Sequence, residues 1–365
     1  MKKVLLLGST GAVGAGCLDV LARCGDISLL IAGRNVARLG TVASAVRADV
    51  ETARLDITDV AAVAAAVTGC DVVINCAGPS QRFSAGVAAA AIAARVPYVD
   101  PGGDDALLEE LTAAGTDVPV VLQAGVQPGL SGMLLRVLAL HRSDGIDSVT
   151  AWCGGLQRLT PASVLEYLGS LHDSRGHPGS ALRAGVIRRA GHEECQPPPK
   201  QYFADSATVR AHLDAEIAAV AAYLGIGTLC WMNVFDGAYT TRAMQRLALD
   251  GERSRGDLHD VLAAARLDLF GRQPYFAVVG TARSNTTATT VAITCPDSYR
   301  TTGALLAFAA RHVASMPAGV RAFWSVDEPQ RALEFLTEYV PEAEVSVVDD
   351  PVGDPQSSMI EEGAL

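Results

Sequence analysis

Short apolar stretches alternate with helical patterns along the first 125 residues. The intervening segments carry apolar residues at the three- and four-residue spacing of amphipathic helices. Strands that alternate with helices form parallel sheets covered on both faces, so this part of the chain predicts a doubly wound α/β domain. The predicted strands are Val4 to Leu7, Ser28 to Ala32, Arg47 to Leu55, Val72 to Asn75, Tyr98 to Val99 and Val118 to Gln123.

The pattern changes after Gly125, where Ser131 can cap a helix that runs to His141. From there strand and helix patterns no longer alternate regularly, which indicates an α+β domain with a mostly antiparallel sheet. Its predicted strands are Val149 to Gly154, two pieces of Tyr275 to Cys295, and a late strand at Val320 to Trp324. Its predicted helices are Thr160 to Asp173, Ser206 to Leu224, Ser254 to Phe270 and Thr301 to Met316.

We therefore predict a Rossmann-type α/β domain over residues 1–127 and an α+β domain over residues 128–317. Residues 349–365 contain five acids and two prolines without a base, and this composition predicts a flexible acidic tail.

Composition narrows the classes of partner. Hydrophobic residues make up 49% of the chain and the net charge is −11, so we expect a folded protein that does not bind nucleic acid. The apolar run after Met1 is too short for a signal peptide, and no later run is long enough to cross a membrane. The eight cysteines are scattered without a zinc pattern. We expect a cytoplasmic protein with reduced thiols, no structural metal and no membrane contact.

A glycine-rich loop follows the first predicted strand and opens a helix. It comprises Gly8, Ser9, Thr10, Gly11, Ala12, Val13 and Gly14. In this position glycines allow a tight turn and a close approach of the backbone to a pyrophosphate, which the helix N-terminus attracts. The loop predicts a dinucleotide site.

Residues at the ends of the next strands indicate which dinucleotide binds. Enzymes specific for NAD carry an acid after the second strand, whereas this chain has Arg34 and Asn35, and a guanidinium can bind the 2′-phosphate of NADP(H). Asp56 and Ile57 end the third strand, where Asp56 either accepts a bond from adenine or caps the next helix. The fourth strand ends in small residues that let the backbone pass the ribose and nicotinamide: Cys76, Ala77, Gly78 and Pro79.

Six segments resemble the saccharopine dehydrogenase-like (saccharopine reductase-type) family in order and spacing. They are GSTGAVG, IAGRNVARL, LDITD, VVINCAGP, VPYVDPGGD and GVQPGLSGMLL, and the similarity covers residues 1 to about 145. The resemblance implies NAD(P)H-dependent chemistry at a C–N bond. It also implies that the α+β domain binds substrate and forms a homodimer, and that a last strand and helix return to the Rossmann domain at about 318–340. Residues 155 to 275 depart from the amino-acid-condensing members, so our specific hypothesis is the thiazolinyl imine reductase branch of pyochelin-type siderophore biosynthesis.

Reduction of a C=N bond needs a hydride on carbon and a proton on nitrogen, and no metal. The candidate acids are Asp100, which ends the fifth strand, and His172, Asp236 and Tyr239 in the second domain. We favour Tyr239 and Asp100. Two alternatives stay open: an amino-acid-forming saccharopine-type dehydrogenase or enoyl (C=C) reductase, and a regulator that binds NADPH without catalysis.

A basic segment runs from Arg175 to Lys200 inside this acidic protein. It holds five Arg or Lys residues against two Glu residues. A solvated loop explains such a segment. If the substrate instead arrives on an acidic carrier-protein domain, as the siderophore resemblance implies, Arg188 and Arg189 belong to its docking surface.

Overall fold

The computed structural model describes residues 2–102, 104–142, 145–170, 176–249, 255–284, 287–326 and 328–351. Its first part alternates strands and helices, and aspartates such as Asp59 and Asp104 cap the helices that follow them. In chain order the elements are β1 (Lys2–Leu7), α1 (Ala12–Cys24), β2 (Ile27–Gly33), α2 (Val36–Ala45), β3 (Val50–Arg54), α3 (Val60–Val67), β4 (Val72–Asn75), α4 (Ser80–Ala93), β5 (Tyr98–Val99), α5 (Asp105–Ala114) and β6 (Pro119–Leu122).

The middle of the chain mixes strands and helices without a regular order. The elements are α6 (Leu130–Leu140), β7 (Ser148–Leu156), α7 (Pro161–Ser170), β8 (His177–Pro178), β9 (Ser180–Arg183), β10 (Val186–Arg189), β11 (Thr208–Leu213), α8 (Ala215–Leu224), β12 (Leu229–Phe235), α9 (Ala238–Leu249), α10 (Arg255–Asp268), β13 (Tyr275–Arg283) and β14 (Thr287–Cys295). The chain then continues with α11 (Ser298–Val313), β15 (Gly319–Ala322), a 3₁₀ turn (Phe323–Ser325), α12 (Pro329–Tyr339) and β16 (Glu344–Pro351).

The first sheet has the strand order β15-β6-β5-β4-β1-β2-β3, and every pairing in it is parallel. Side chains of β1 alternate between its two faces: Val4 and Leu6 join one apolar core, whereas Leu5 and Leu7 join another. Both faces are therefore buried under helices. The predicted doubly wound Rossmann-type sheet is confirmed.

The second sheet runs β10-β9-β12-β7-β13-β14-β16, with β11 also paired to β12. Its pairings are antiparallel except for β7 with β12, which confirms the predicted mostly antiparallel sheet. One face shares the core that contains α6 and α8. On the other face Phe203 packs against Trp152 and Met232.

Three helices of this second part form a separate cluster, which we call the helical cap: α7, α9 and α10. Its small core joins Val164 and Leu168 of α7 to Leu247 of α9 and Val261 of α10. In the part of the chain that the structure describes, no helix is both long and apolar enough to cross a membrane.

The chain returns to the first sheet after β14. Helix α11 packs on α1 where Gly303 meets Cys17: a Cβ on Gly303 would lie 2.4 Å from the Cys17 nitrogen. Strand β15 pairs with β6 from Gly319 to Ala322, within the stretch where the returning strand was predicted. The domain boundaries themselves stay predictions.

Two parts of the sequence analysis need correction. Residues 208–213 of the predicted helix Ser206 to Leu224 form β11, and the helix begins only after Asp214, whose carboxylate accepts a hydrogen bond from Ile217 N at 2.8 Å. The flexible tail does not begin at Asp349, because β16 continues through Pro351 and Asp349 Oδ1 accepts a 2.6 Å hydrogen bond from Thr289 Oγ1. Residues 352–365 lie outside the described ranges.

Candidate functional site

The glycine loop between β1 and α1 lies at the carboxyl edge of the first sheet. Gly8 has φ +76°, and a Cβ there would lie 2.5 Å from the carbonyl carbon of Cys76. A Cβ on Gly14 would lie 2.3 Å from the Gly8 oxygen, so the first turn of α1 sits directly against the loop. Both positions therefore exclude any larger residue.

Gly11 faces the open side of the loop. The nearest atom to a Cβ at this position is the Gly8 oxygen at 3.3 Å. Beside it, Ser9 Oγ is buried and has no hydrogen-bond partner among the described atoms. A bare backbone, an orphaned hydroxyl and the N-terminus of a 13-residue helix fit the pyrophosphate of a dinucleotide.

Two arginines lie beyond the end of β2. Arg34 and Arg38 are both exposed, and Arg38 Nη2 donates a 3.3 Å hydrogen bond to the Thr10 oxygen of the glycine loop. Asn35 Oδ1 accepts from Arg38 N at 3.1 Å, so Asn35 caps α2. The sequence predicted a role for Arg34 and none for Arg38, which follows four residues later in the first turn of α2.

Asp56 ends β3 on the same side. Its Oδ1 accepts hydrogen bonds from Thr58 N at 3.0 Å and from Thr58 Oγ1 at 2.8 Å. These bonds, and to a smaller extent the charge of Arg34, hold the pKa of Asp56 below its ordinary value. These contacts form a local turn, and the helix-capping role considered for Asp56 belongs to Asp59, whose Oδ1 accepts a hydrogen bond from Ala62 N at 3.0 Å. The contact of Asp56 with adenine stays a prediction. Ile57 is half-buried against the core of the first sheet.

The loop after β4 joins β1 and β5. Cys76 N donates to Leu7 O at 2.9 Å, and Ala77 N donates to Asn75 Oδ1 at 3.1 Å. The Cys17 side chain and burial both raise the pKa of the Cys76 thiol, which stays neutral. Gly78 and Pro79 are joined by a cis peptide bond and lead into α4.

Asp100 is the centre of a buried polar network. Its Oδ2 accepts from Asn75 Nδ2 at 2.9 Å and from the Tyr98 hydroxyl, and its Oδ1 accepts from Gly102 N at 2.8 Å. Burial raises the pKa of Asp100, although the bond from Tyr98 and its other hydrogen bonds oppose this, and burial also raises the pKa of Tyr98. The network fixes the ends of β4 and β5 against each other.

A carboxylate from the helical cap reaches the same edge. Ser80, the first residue of α4, donates from its backbone N and, at 2.8 Å, from its Oγ to Glu166 of α7. Gly78 lies beside Glu166, since a Cβ there would be 3.3 Å from Glu166 Oε1. Sequence reasoning missed Glu166, which is 86 positions from Ser80 and has no motif around it.

A second buried acidic group lies beyond β6. Glu216 accepts from Gly129 N at 2.6 Å and from Ser131 Oγ, while Gln127 Nε2 donates to Asp214 Oδ2 at 3.0 Å. Burial, then the charge of Asp214, raises the pKa of Glu216 to about 8. Glu216 also lines a cleft of about 280 Å³ between α5, α8 and β15.

The other predicted catalytic residues lie elsewhere. Asp236 is almost fully buried and accepts from Ser206 Oγ at 2.7 Å, from Tyr275 Oη at 2.9 Å and from Arg272. Burial alone would raise the pKa of Asp236, but these hydrogen bonds outweigh it and the pKa is lowered. Asp236 therefore stays ionised and is a poor proton donor at neutral pH.

Tyr239 lies in the exposed first turn of α9, 58% accessible to water, where proton transfer gains little from exclusion of water. His172 lies outside the described residues. Among the described residues, no group of three or more His, Cys, Asp or Glu side chains has the geometry to hold a metal ion.

Comparison with known proteins extends this description. Residues 4–122 match the family model described as the saccharopine dehydrogenase NADP binding domain, which confirms NADP(H) as the predicted cofactor. Apo saccharopine dehydrogenase (L-Glu forming) from Saccharomyces cerevisiae is similar in fold, with TM-score 0.66 and 18% identity over 97% of this chain and 100% of that chain.

Curated relatives match over a shorter stretch. A protein named as a trans-acting enoyl reductase in two strains of Mycobacterium tuberculosis is 29% identical over 187 residues. The match covers 46% of this chain and 44% of the relative, so the chain spans less than half the length of the curated relatives it matches.

Proposed function

We propose that this chain, a member of the saccharopine dehydrogenase-like family with an NADP-binding domain at residues 4–122, is an NADPH-dependent reductase of an activated double bond. One observation supports this most strongly: the glycine loop and two exposed arginines, Arg34 and Arg38, lie on the same edge of the first sheet. Guanidinium groups there favour the 2′-phosphate that distinguishes NADPH, the usual carrier of hydride for reductions.

Each part of the edge has a task in this proposal. The loop from Gly8 to Gly14 holds the pyrophosphate, and Arg34 with Arg38 holds the 2′-phosphate. NADPH, when bound, supplies the hydride. The Asp100 network with Asn75 keeps the ends of β4 and β5 fixed, so that the space between them and α7 presents the substrate in one orientation.

The charge of this edge argues against a dicarboxylate substrate. The side chains joined by hydrogen bonds at the ends of β4 and β5 and at Ser80 are neutral or acidic, with Asp100 and Glu166 among them, whereas Arg82 in the first turn of α4 is exposed and lies over the Phe83 ring. An amino-acid-forming enzyme needs cationic groups that bind the carboxylates of its substrate. A neutral or cationic substrate suits this edge better.

The first candidate substrate is an enoyl group, a C=C bond conjugated to a carbonyl. The name of the mycobacterial relatives supports this class, and the neutral character of an enoyl thioester suits the edge described above. This candidate replaces the imine as our preferred substrate.

The second candidate is a C=N bond, including the thiazoline of the siderophore hypothesis. The observation in its favour is Glu166, because a carboxylate beside the reacting carbon would stabilise a protonated imine. A neutral enoyl group gains nothing comparable from this charge.

The test is NADPH oxidation against a panel of enoyl thioesters, cyclic imines, thiazolines and saccharopine-type amino acids. We expect turnover of enoyl thioesters, and Glu166→Gln should slow imine reduction about tenfold while it changes enoyl reduction less. NADPH binding without turnover of any panel member would contradict the proposal and favour a regulatory protein.

A carrier-bound substrate is a further part of the proposal. The structure places Arg183 in a pair with Glu194 and Lys200 in a pair with Asp205, whereas Arg188 and Arg189 lie on the exposed edge strand β10; Arg175 is outside the described residues. Reversal of Arg188 and Arg189 to Glu should raise the KM for a carrier-bound enoyl substrate severalfold and leave a free thioester unaffected. Equal responses of both substrates would show that Arg188 and Arg189 do not dock a carrier protein.

A further inference from the structure

Three large apolar side chains are exposed at one end of the helical cap. Phe270 is 87% exposed, Leu267 61% and Tyr239 58%. We call these three residues the apolar tip. Phe270 follows the last turn of α10, and its backbone N donates to Leu267 O at 3.1 Å, so the two side chains project from the same turn.

The third member is held beside them by a buried carboxylate. Asp268 lies between Leu267 and Phe270 in the chain, and it accepts hydrogen bonds from Tyr239 N at 3.2 Å and from Thr240 N at 2.7 Å. The start of α9 is thereby fixed to the end of α10. The tip is a defined feature of the fold and combines residues from two helices.

Exposed arginines lie on the two helices that carry the tip. Arg242 and Arg246 follow Tyr239 at helical spacings of three and seven residues and are exposed, and Arg266 is exposed at the end of α10. Asp268 is buried, and the nearest exposed acid before Leu267 on α10 is Asp260, seven residues away. In a chain of net charge −11, the described exposed residues nearest the tip along both helices are therefore basic.

An apolar tip with exposed arginines on the same helices matches the chemistry of an anionic lipid surface. Aromatic and aliphatic side chains enter the boundary between headgroups and acyl chains, while arginines contact lipid phosphates. Side chains that project from a turn can enter a bilayer, whereas a protein partner would have to supply a matching groove. We propose that the helical cap docks on anionic membranes through Leu267 and Phe270, with Arg242, Arg246 and Arg266 at the lipid phosphates.

This contact is independent of the reaction. It does place the membrane on the same helical cap that reaches the candidate site, because α7 of this cap holds Ser80 through Glu166. It also differs from the expectation, drawn from the sequence, of a protein without membrane contact.

The test is co-sedimentation of the full chain with vesicles of phosphatidylcholine alone and of phosphatidylcholine with 30% phosphatidylglycerol, a probe composition of about one anionic lipid in three. We expect binding to the anionic vesicles that weakens with salt. The double variant Leu267→Ser, Phe270→Ser should weaken vesicle binding at least about tenfold. The double variant Arg242→Glu, Arg246→Glu should weaken vesicle binding about fivefold or more for each arginine that is reversed. A Phe270→Trp variant should show a blue shift of its emission on anionic vesicles.

Two control variants make the same kinds of substitution away from the apolar tip. Val60→Ser changes an exposed apolar residue on α3, and Arg188→Glu with Arg189→Glu reverses two exposed charges on β10; both should bind vesicles normally. NADPH affinity and thermal unfolding of every variant show whether it is folded. Absence of binding at low salt, binding that the tip variants leave unchanged, or a dimer in solution that the serine variants dissociate would each overturn the proposal.

Discussion

Polar residues at the end of β1 and at the end of β12 differ in whether they already have hydrogen-bond partners. At the end of β1, Gly8 and Gly14 leave an open loop in which Ser9 Oγ has no partner among the described atoms. At the end of β12, Asp236 already accepts hydrogen bonds from Ser206, Arg272 and Tyr275. Groups without partners are ready for a ligand, whereas groups with several partners stabilise the fold.

The largest effect is expected from a substitution that disrupts the glycine loop. Gly14→Ala puts a Cβ 2.3 Å from the Gly8 oxygen, so the loop or α1 must move. We expect NADPH affinity to fall at least about a hundredfold and the unfolding free energy by about 2 kcal/mol. Fluorescence titration and denaturant unfolding measure the two.

Gly86→Ala on α4 is the matched control. A Cβ on Gly86 meets no atom within 4 Å, so this change should stabilise the helix by about 0.5 to 1 kcal/mol without effect on NADPH. If Gly14→Ala binds NADPH as tightly as Gly86→Ala, the loop is not the pyrophosphate site.

The next effect concerns the end of β12, where Asp236 already has its hydrogen-bond partners. Arg272→Ala leaves the buried Asp236 carboxylate without its cation, and we expect a loss of about 3 kcal/mol in unfolding free energy at pH 7. The pKa of Asp236 is lowered, so its stabilising effect is present above its unfolded pKa of about 3.9 and disappears as pH falls through the folded value.

The loss caused by Arg272→Ala should therefore shrink under acid conditions. Arg95→Ala is its control, because the Arg95 pair with Asp117 is exposed and its loss should cost less than about 1 kcal/mol. A similar small loss for Arg272→Ala, with reductase activity abolished, would return Asp236 to the list of catalytic groups.

Cofactor choice gives the third prediction. Arg34→Ala should weaken NADPH by about ten- to a hundredfold and leave NADH unchanged, because only NADPH carries the 2′-phosphate. Arg38→Ala should act in the same direction with a smaller effect, since Arg38 also contacts Thr10 O. Isothermal titration with both nucleotides measures this, and equal losses for both would contradict the assignment.

The last prediction concerns the pH dependence of stability. Burial and the charges of Asp214 and Asp105 raise the pKa of Glu216 to about 8, so the folded state keeps a proton that the unfolded state releases near its usual pKa of about 4.3. Stability should therefore fall as pH rises from 5 to 8, by at most about 1.4 kcal/mol per unit. Glu216→Gln should flatten this slope, and an unchanged slope would refute the buried proton.

The first sheet could be predicted from sequence because its signals are local. Each strand end and the glycine loop lie within a few residues of the apolar strand that positions them, and Arg34 is recognised by its distance from Gly14. Arg38 needed the additional step of projecting the residues of α2 onto a helix.

The second part was harder because its partners are distant in sequence. Glu166 reaches Ser80 across 86 positions and Arg272 reaches Asp236 across 36, and no spacing rule predicts such pairs. The first half of the predicted helix at 206–224 was wrong for a related reason: residues 208–211 pair with β12 and residues 212–213 with β8, and these pairings override the local helical pattern.

The central claim is that this edge of the first sheet transfers hydride from NADPH to a double bond. The most direct measurement is mass spectrometry of the product after incubation with NADPH that carries deuterium on the reactive face of C4, with an enoyl thioester or a cyclic imine as substrate. We predict one deuterium in the reduced product of the wild-type chain, and a much lower yield of that labelled product with Gly14→Ala at the same subsaturating NADPH concentration. Tight NADPH binding with no deuterium in either product would contradict it.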